Sequence, residues 1–259
     1  MTGQYEFYLD YMQAQSGYRA TWEPGRNMVP GTIGRLDKEG RFVKLKKLRD
    51  LHIIPEIETD NSNSTREMDR TSSDKVNISV KLSGSAPLPG SMLSLKDTGF
   101  NISFKGERGI VFKISGYSTD EIVNLGTVEE KVISLYKNDK WDKSWLIVTQ
   151  VIRAKSATII ISSGESASLE LKAKAKVGSG AVKLTDAALG LKVTNQSGET
   201  TRILAEQNIT PLYQVMGLEH PWFSSHKLHN KAIADFNAPL NFEVQPYRAG
   251  ELEGDETGD

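Results

Sequence analysis

The sequence predicts an α+β fold, a single domain built on a twisted, largely antiparallel β-sheet with flanking short helices, and three observations carry that expectation. Apolar and polar residues alternate in several runs, the clearest being Val76, Ile78, Val80 and Leu82 against Asn77, Ser79 and Lys81. Such alternation puts one face of a strand in water. Two other segments repeat at helical spacing instead: Tyr5, Tyr8, Leu9 and Met12, then Leu125, Val128, Val132 and Leu135. The 259 residues show no repeat of fixed period, a length that one β-rich domain can reach.

The first helix has an apolar stripe at Tyr5, Tyr8, Leu9 and Met12, and Gly17 ends it. Pro24-Gly25, Pro30-Gly31 and Gly34 predict turns and short extended pieces, with Asp37-Lys38-Glu39-Gly40 as a hairpin turn. Residues Thr59 to Lys75 have Met68 as their one apolar side chain, so they are expected to form a mobile loop that cannot offset its ordering entropy. Phe100-Ile102-Phe104 and Ile110-Phe112-Ile114 flank Gly106-Glu107-Arg108-Gly109 and predict a hairpin.

Ser118 and Glu121 have the spacing of a capping box for the second helix, which runs to about Lys137. Trp145 to Ile152 and Thr158 to Ile161 are dense in β-branched residues and predict two paired strands, the first buried on both faces. Leu169, Leu171, Ala173, Ala175 and Val177 alternate with Glu170, Lys172, Lys174 and Lys176, a long strand with one charged face. Val182, Leu184, Leu191, Val193, Ile203 and Ala205 continue the pattern. The acidic end, residues 251–259, is expected to be disordered.

Composition excludes more than it proposes. Lysine and arginine total 32 against 33 acids, a net charge of −1, so no global field argues for nucleic-acid binding. The absence of cysteine removes disulfides, thiol catalysis and thiolate metal sites. The opening Met1-Thr2-Gly3-Gln4-Tyr5 is no signal peptide and no apolar run reaches membrane-helix length, which predicts a cytoplasmic, initially soluble protein.

Enzyme motifs are missing: the sequence has no G-x-S-x-G, no P-loop, no H-E-x-x-H and no G-x-G-x-x-G opening a helix. No catalytic residue, cofactor or metal is therefore assigned. His220, His226 and His229 with Asp235 are the one cluster of ligand types, but Pro221, Ser224 and Ser225 interrupt any rigid element between them. Arg41, Lys44, Lys46, Lys47 and Arg49 interleave with Phe42, Val43, Leu45 and Leu48. This is either a patch for acidic lipid headgroups or a solvated helix face. Trp22, Trp141, Trp145 and Trp222 suit a membrane interface or a core.

Element order and two short motifs carry a resemblance. Trp145 to Val151 resembles the "LYVVTE" strand of gasdermin pore-forming domains, with Gln150 where that family often has glutamate. Thr210-Pro211-Leu212-Tyr213-Gln214-Val215 resembles the strand near that domain's end, and the likeness in order runs from Tyr5 to Leu218. The resemblance implies an autoinhibited monomer, a homo-oligomer in acidic lipid membranes, two inserted β-hairpins per subunit, an effector role in cell death and an activating protease. By correspondence the insertion regions are Val76 to Ile114 and Thr158 to Val193. The chain departs from the family's bacterial members in lacking an N-terminal cysteine for palmitoylation.

Alternating strands suit insertion physically, since about 9 to 11 residues cross a bilayer in a barrel. The insertion candidates are Val76, Ile78, Val80, Phe100, Ile102, Phe104, Ile110, Phe112, Leu169, Leu171, Ala173, Ala175 and Val177. Residues 1–218 form the expected pore-forming domain. In 219–259, Trp222, Phe223, Phe236 and Phe242 either latch it closed or complete its core. A half-exposed antiparallel sheet produces the same alternation, so the alternative is a soluble, non-enzymatic binding module that recognises a protein or glycan.

Overall fold

The computed structural model describes residues 4–38, 40–86, 91–106, 108–164, 166–173, 183–185, 190–205, 208–219 and 241–244, and among these the regular elements are mostly antiparallel strands with two short α-helices. In chain order the elements are α1 (Gln4–Ser16), β1 (Arg19–Ala20), β2 (Thr32–Leu36), β3 (Phe42–Lys47), a 3₁₀ turn (Leu48–Leu51), β4 (Ile57–Asp60), β5 (Glu67–Asp69), β6 (Val76–Lys81) and β7 (Gly99–Phe104). They continue with β8 (Gly109–Ile122), α2 (Leu125–Lys137), β9 (Leu146–Ser162), β10 (Ser168–Lys172), β11 (Lys192–Ser197), β12 (Thr200–Ala205), β13 (Ile209–Glu219) and β14 (Asn241–Val244). The chain divides into two units, one of residues 1–27, 60–119 and 152–212, the other of 28–59, 120–151 and 213–259.

In the first unit, α1 buries Tyr8, Leu9 and Met12 against Ile110, Phe112 and Ile114 of β8 and Ile159 and Ile161 of β9. Gly17 ends the helix as expected, with φ at 73° and its amide on the Gln13 carbonyl at 2.9 Å, a left-handed conformation that glycine adopts without strain. At 110–114 of β8 and 157–161 of β9, odd and even residues go to different cores. Val111 and Ile160 pack with Phe100, Ile102, Phe104, Leu169 and Leu171, a second sheet in the order β11-β10-β7-β6. Since successive side chains of a strand point opposite ways, the two strands here are covered on both faces.

The second unit is built on the β2–β3 hairpin, whose turn closes through Gly40 N to Asp37 O at 2.8 Å and Asp37 N to Arg41 O at 3.0 Å. Gly34 permits its close approach, because a Cβ there would strike the Val43 carbonyl and come within 2.5 Å of the Phe42 ring. Val128 and Val132 of α2 meet Ile33, Leu48, Ile53, Ile122, Trp141, Ile147 and Leu218. Leu146 and Val148 instead join Met28, Phe42, Val151, Tyr213 and Val215. The start of β9 is therefore buried on both faces, as its β-branched run predicts.

Several expectations are corrected. Trp145 to Ile152 and Thr158 to Ile161 do not pair, because both, apart from Trp145 just before it, lie in one 17-residue strand, β9. Between them Lys155 is exposed, and the alternation shifts by one residue there, since Ile152 and Ala154 share a core with Ala157, Ile159 and Ile161. The Ser118–Glu121 capping box is absent: both residues belong to β8, and Glu121 takes a hydrogen bond from Gln150 at 2.9 Å. The helix begins after Asn124, whose side chain holds Glu56 N at 2.9 Å and Ile54 O at 3.2 Å.

The predicted hairpin of β7 with β8 does not form either, since β7 pairs with β6 and β10 in one sheet and β8 belongs to the other. Their apolar faces meet through Val111 across the sheets. The segment Thr59 to Lys75 is not a structureless loop: β5 pairs with Lys113–Ser115 of β8, and Ser72, 4% exposed, exchanges hydrogen bonds with Ile110. Backbone pairing along an existing strand, with Met68 packed against the core beside it, orders a segment that has a single apolar side chain.

Replacing Ile160, fully buried, with alanine is expected to lower the unfolding free energy by about 2 to 5 kcal/mol. Val43→Ala, at a 37% exposed position, should change it by less than about 0.5 kcal/mol. Denaturant titration measures both, and equal losses would contradict the double-sided burial.

Candidate functional site

The second sheet of the first unit brings together most of the predicted insertion residues, and its register decides what each face carries. Val76, Ile78 and Val80 lie opposite Phe104, Ile102 and Phe100; Leu169 and Leu171 lie opposite Ile102 and Phe100 from the other side. Directly opposed residues share a face, so these eight form one apolar surface, turned to the core except at exposed Val80, with Ala173 buried beside it. Ile110 and Phe112 are instead in β8, in the other core. Ala175 and Val177 lie outside the described residues, as does the predicted continuation of β10 beyond Ala173.

The opposite face is polar throughout. Asn77 faces Ser103, Ser79 faces Asn101 and Lys81 faces Gly99, while Ser168, Glu170 and Lys172 face Ser103, Asn101 and Gly99. Alternation alone predicts that this face is wet. Yet Lys81 is 1% exposed and Glu170 is 4% exposed. Their cover is residues 91–98, which cross the polar face.

Charges taken out of water need partners, and this segment supplies them. The Lys81 ammonium donates to the Asp97 carbonyl at 2.8 Å and to the Ser94 carbonyl. Glu170 accepts the Met92 amide at 2.9 Å and the Thr194 hydroxyl at 2.8 Å. Leu93, 2% exposed, fills the space above Gly99, where a Cβ would come within 2.7 Å of its Cδ1 and strike the Leu171 carbonyl. Lys172 pairs with Asp97 at 2.7 Å. Sequence reasoning missed this arrangement because no local pattern marks a charge as buried by a distant loop. Met92 and Leu95 of the cover itself remain exposed, as do Val80 and Leu82.

The basic patch is not a helix face: Arg41 precedes β3, Lys44, Lys46 and Lys47 lie in it, and Arg49 lies in the 3₁₀ turn. Arg41 pairs with Asp37 at 2.9 Å, and the Lys46 ammonium sits 4.1 Å from the Trp145 ring centre. That ring in turn meets buried Trp141 edge-on at 5.3 Å. Val43 and Leu45 stay exposed between the cations. Trp22 is half-buried and faces Tyr8 at 6.2 Å, which makes it a packing residue.

Trp222, Phe223 and Phe236 of the predicted latch, His220, His226, His229 and Asp235, and the acidic end at 251–259 lie outside the described residues. Phe242 stands opposite Leu218 in the β13–β14 pairing. Among the described residues no group of three acidic, histidine or cysteine side chains is placed to hold a metal, and no helix is long and apolar enough to cross a membrane. A cavity of about 60 Å³ in the second unit is lined by Leu125, Val128, Glu129, Ile147, Thr149 and Met216.

The Asp97–Lys172 pair has a pH signature. The Lys172 side chain, with the Ser94 amide, pulls the Asp97 carboxyl down to about 2, below the ordinary value of about 3.9. A carboxyl depressed on folding stabilises above its unfolded pKa and loses that contribution as pH falls through its folded pKa, here from about 4 toward about 2. Lys172→Met should raise the Asp97 pKa, read by carboxyl NMR titration, and an unmoved value would contradict the pairing. Comparison with protein-family models finds no match to this chain, and comparison with curated proteins finds none either.

Proposed function

We propose that the protein is a gasdermin-like membrane pore-forming effector of cell death, held in a water-soluble form until activated, and that its four-stranded sheet is the inserting element. One observation carries the reading: two antiparallel hairpins, β6–β7 and β10–β11, lie side by side with one apolar face and one polar face. Lipid on one side and a water-filled lumen on the other require that division. Four alternating strands also leave the edges β6 and β11 running in opposite directions. Copies joined edge to edge would therefore continue the antiparallel pattern and close a barrel without free edges.

The cost of leaving the resting fold is large. Phe100, Ile102, Phe104, Leu169 and Leu171 are buried, each contributing roughly 1.5 to 3 kcal/mol there, so lipid must replace that core. Acidic lipid beside Lys44, Lys47 and Arg49, exposed around Val43 and Leu45, would supply attraction of about 1 kcal/mol per cation. The pairing of β14 with Met216–Glu219 of β13 is consistent with residues 219–259 acting as a latch. The second reading, a soluble binding module, draws on the exposed Leu82, Met92 and Leu95, which would meet a protein partner.

Dye-loaded vesicles containing acidic lipid, exposed to the protein before and after limited proteolysis, test the proposal. Leakage with ring-shaped oligomers is expected after cleavage; a monomer indifferent to vesicles in both forms would favour the binding module. Val80 is 46% exposed at rest, so Val80→Asp should alter stability by no more than about 0.5 kcal/mol. The same change puts a charge on the lipid face of an inserted strand and should abolish leakage.

A further inference from the structure

The buried pair Lys81 and Glu170 has no place in a sheet face meant only for water. Both charges are enclosed by residues 91–98, and both are satisfied partly by the backbone of that segment: Lys81 by the Ser94 and Asp97 carbonyls, Glu170 by the Met92 amide. Water can satisfy a lysine and a glutamate equally well, so the closed arrangement depends on the segment staying in place. Leu93 is the apolar counterpart, packed over Gly99 between Lys81 and Lys172. The three contacts fix one face of the sheet to one short stretch of chain.

That stretch also contains an unused strand pattern. Leu93 and Leu95 alternate with Ser94 and Lys96, as Leu82 does with Lys81 and Ser83. The sheet register ends at Lys81 opposite Gly99, and Leu82–Ser85 forms a turn, with Ser85 N on Leu82 O at 3.2 Å, yet two bonds still link the two chain segments beyond it. Gly84 N donates to Leu95 O at 2.7 Å, and the Ser83 hydroxyl donates to Lys96 O at 3.1 Å. The Gly84–Leu95 bond departs by one residue from the register of the sheet, which would set Gly84 against Lys96. With that one-residue slip, Leu82 carries on the apolar face of Val76, Ile78 and Val80, Leu95 and Leu93 fall on the same side, and Asp97 stands opposite Leu82 at the junction with the present sheet. Carried to Ala86, β6 grows from six residues to eleven, against the roughly 9 to 11 that cross a bilayer.

We propose that residues 91–98 are a strap that holds the Lys81 and Glu170 end of the sheet's polar face shut, pinned by those two residues and plugged by Leu93, and that its release lengthens β6 and β7. The inference rests on the reading of this sheet as the inserting element, and it adds the contact that regulates it. With the strap closed, β6 is too short to span and the end of the polar face at Lys81 and Glu170 is sealed. With the strap open, Lys81 and Glu170 return to water on the lumen side, and Leu82, Leu93 and Leu95 line the lipid side. The exposed Leu82, Met92 and Leu95 lose nothing by the exchange.

The cysteine-free chain makes the strap directly readable by thiol labelling. In free full-length protein, Leu93→Cys should react about tenfold or more slowly than Met92→Cys, whose position is 76% exposed. Adding Lys81→Met or Glu170→Ala should speed the Leu93→Cys reaction about tenfold or more, as loss of a hydrogen bond to a charged group implies. Asp97→Ala, confined to the strap, serves the same purpose if either sheet variant fails to fold. A strap cysteine as reactive as Met92→Cys, or a rate that none of the three variants changes, would overturn the proposal. Leakage from acidic-lipid vesicles is then measured on the same variants. Faster labelling with faster leakage supports strap and insertion together. Faster labelling without leakage removes the insertion reading and leaves the strap standing, whereas leakage with the cysteine still shielded overturns the strap.

Discussion

β9 must be covered on both faces, and much of the architecture follows from meeting that demand. Its 17 residues carry too many β-branched side chains to leave a face in water. In the first unit Ile159 and Ile161 are covered from the α1 side, while Ile160 is covered by the second sheet. In the second unit Ile147 goes to the α2 core, and Leu146 and Val148 go to the cluster around Phe42 and Tyr213. Neighbouring β8 repeats the arrangement with Ile110, Phe112 and Ile114 on one face and Val111 on the other. A strand buried twice needs a layer on each side, which is why β7 belongs to a separate sheet and does not pair beside β8.

The covering sheet pays for its apolar face by exposing a polar one, and the fold closes the end of that face that carries Lys81 and Glu170. Lys81 and Glu170 are enclosed, with backbone groups of residues 91–98 in the places that water would take. Satisfied buried charges specify one arrangement more sharply than they stabilise it. An arrangement held by backbone groups of a single loop can also be undone by moving that loop alone. The same sheet is therefore compatible with a resting, layered fold and with a longer, amphipathic state.

The resemblance to gasdermin pore-forming domains lies in short apolar motifs, and no family model matches the chain. Its weight comes instead from physical fit: paired hairpins, divided faces, opposed edges and a basic surface that retains exposed Val43 and Leu45. The binding-module alternative uses the same exposed residues without requiring the core to open. The energetic difference between the two is the buried set Phe100, Ile102, Phe104, Leu169 and Leu171, which only lipid or a second copy could receive.

Local pattern sufficed where the cause was local. Helical spacing marked α1 and α2, glycine marked the end of α1 and the β2–β3 turn, and period-two alternation marked β6, β7 and β10, because each depends on residues a few positions apart. Pairing depended on distant ones. Thr59 to Lys75 looked too polar to order until β8 supplied an edge, and Ser118 and Glu121 matched a helix cap until β8 extended through them. Alternation by itself determined which residues of the second sheet share a face. Only the tertiary structure decided that the face with Lys81 and Glu170 is closed, because a charge is buried by whatever crosses over it, and here that is a loop whose own sequence carries no mark of the contact.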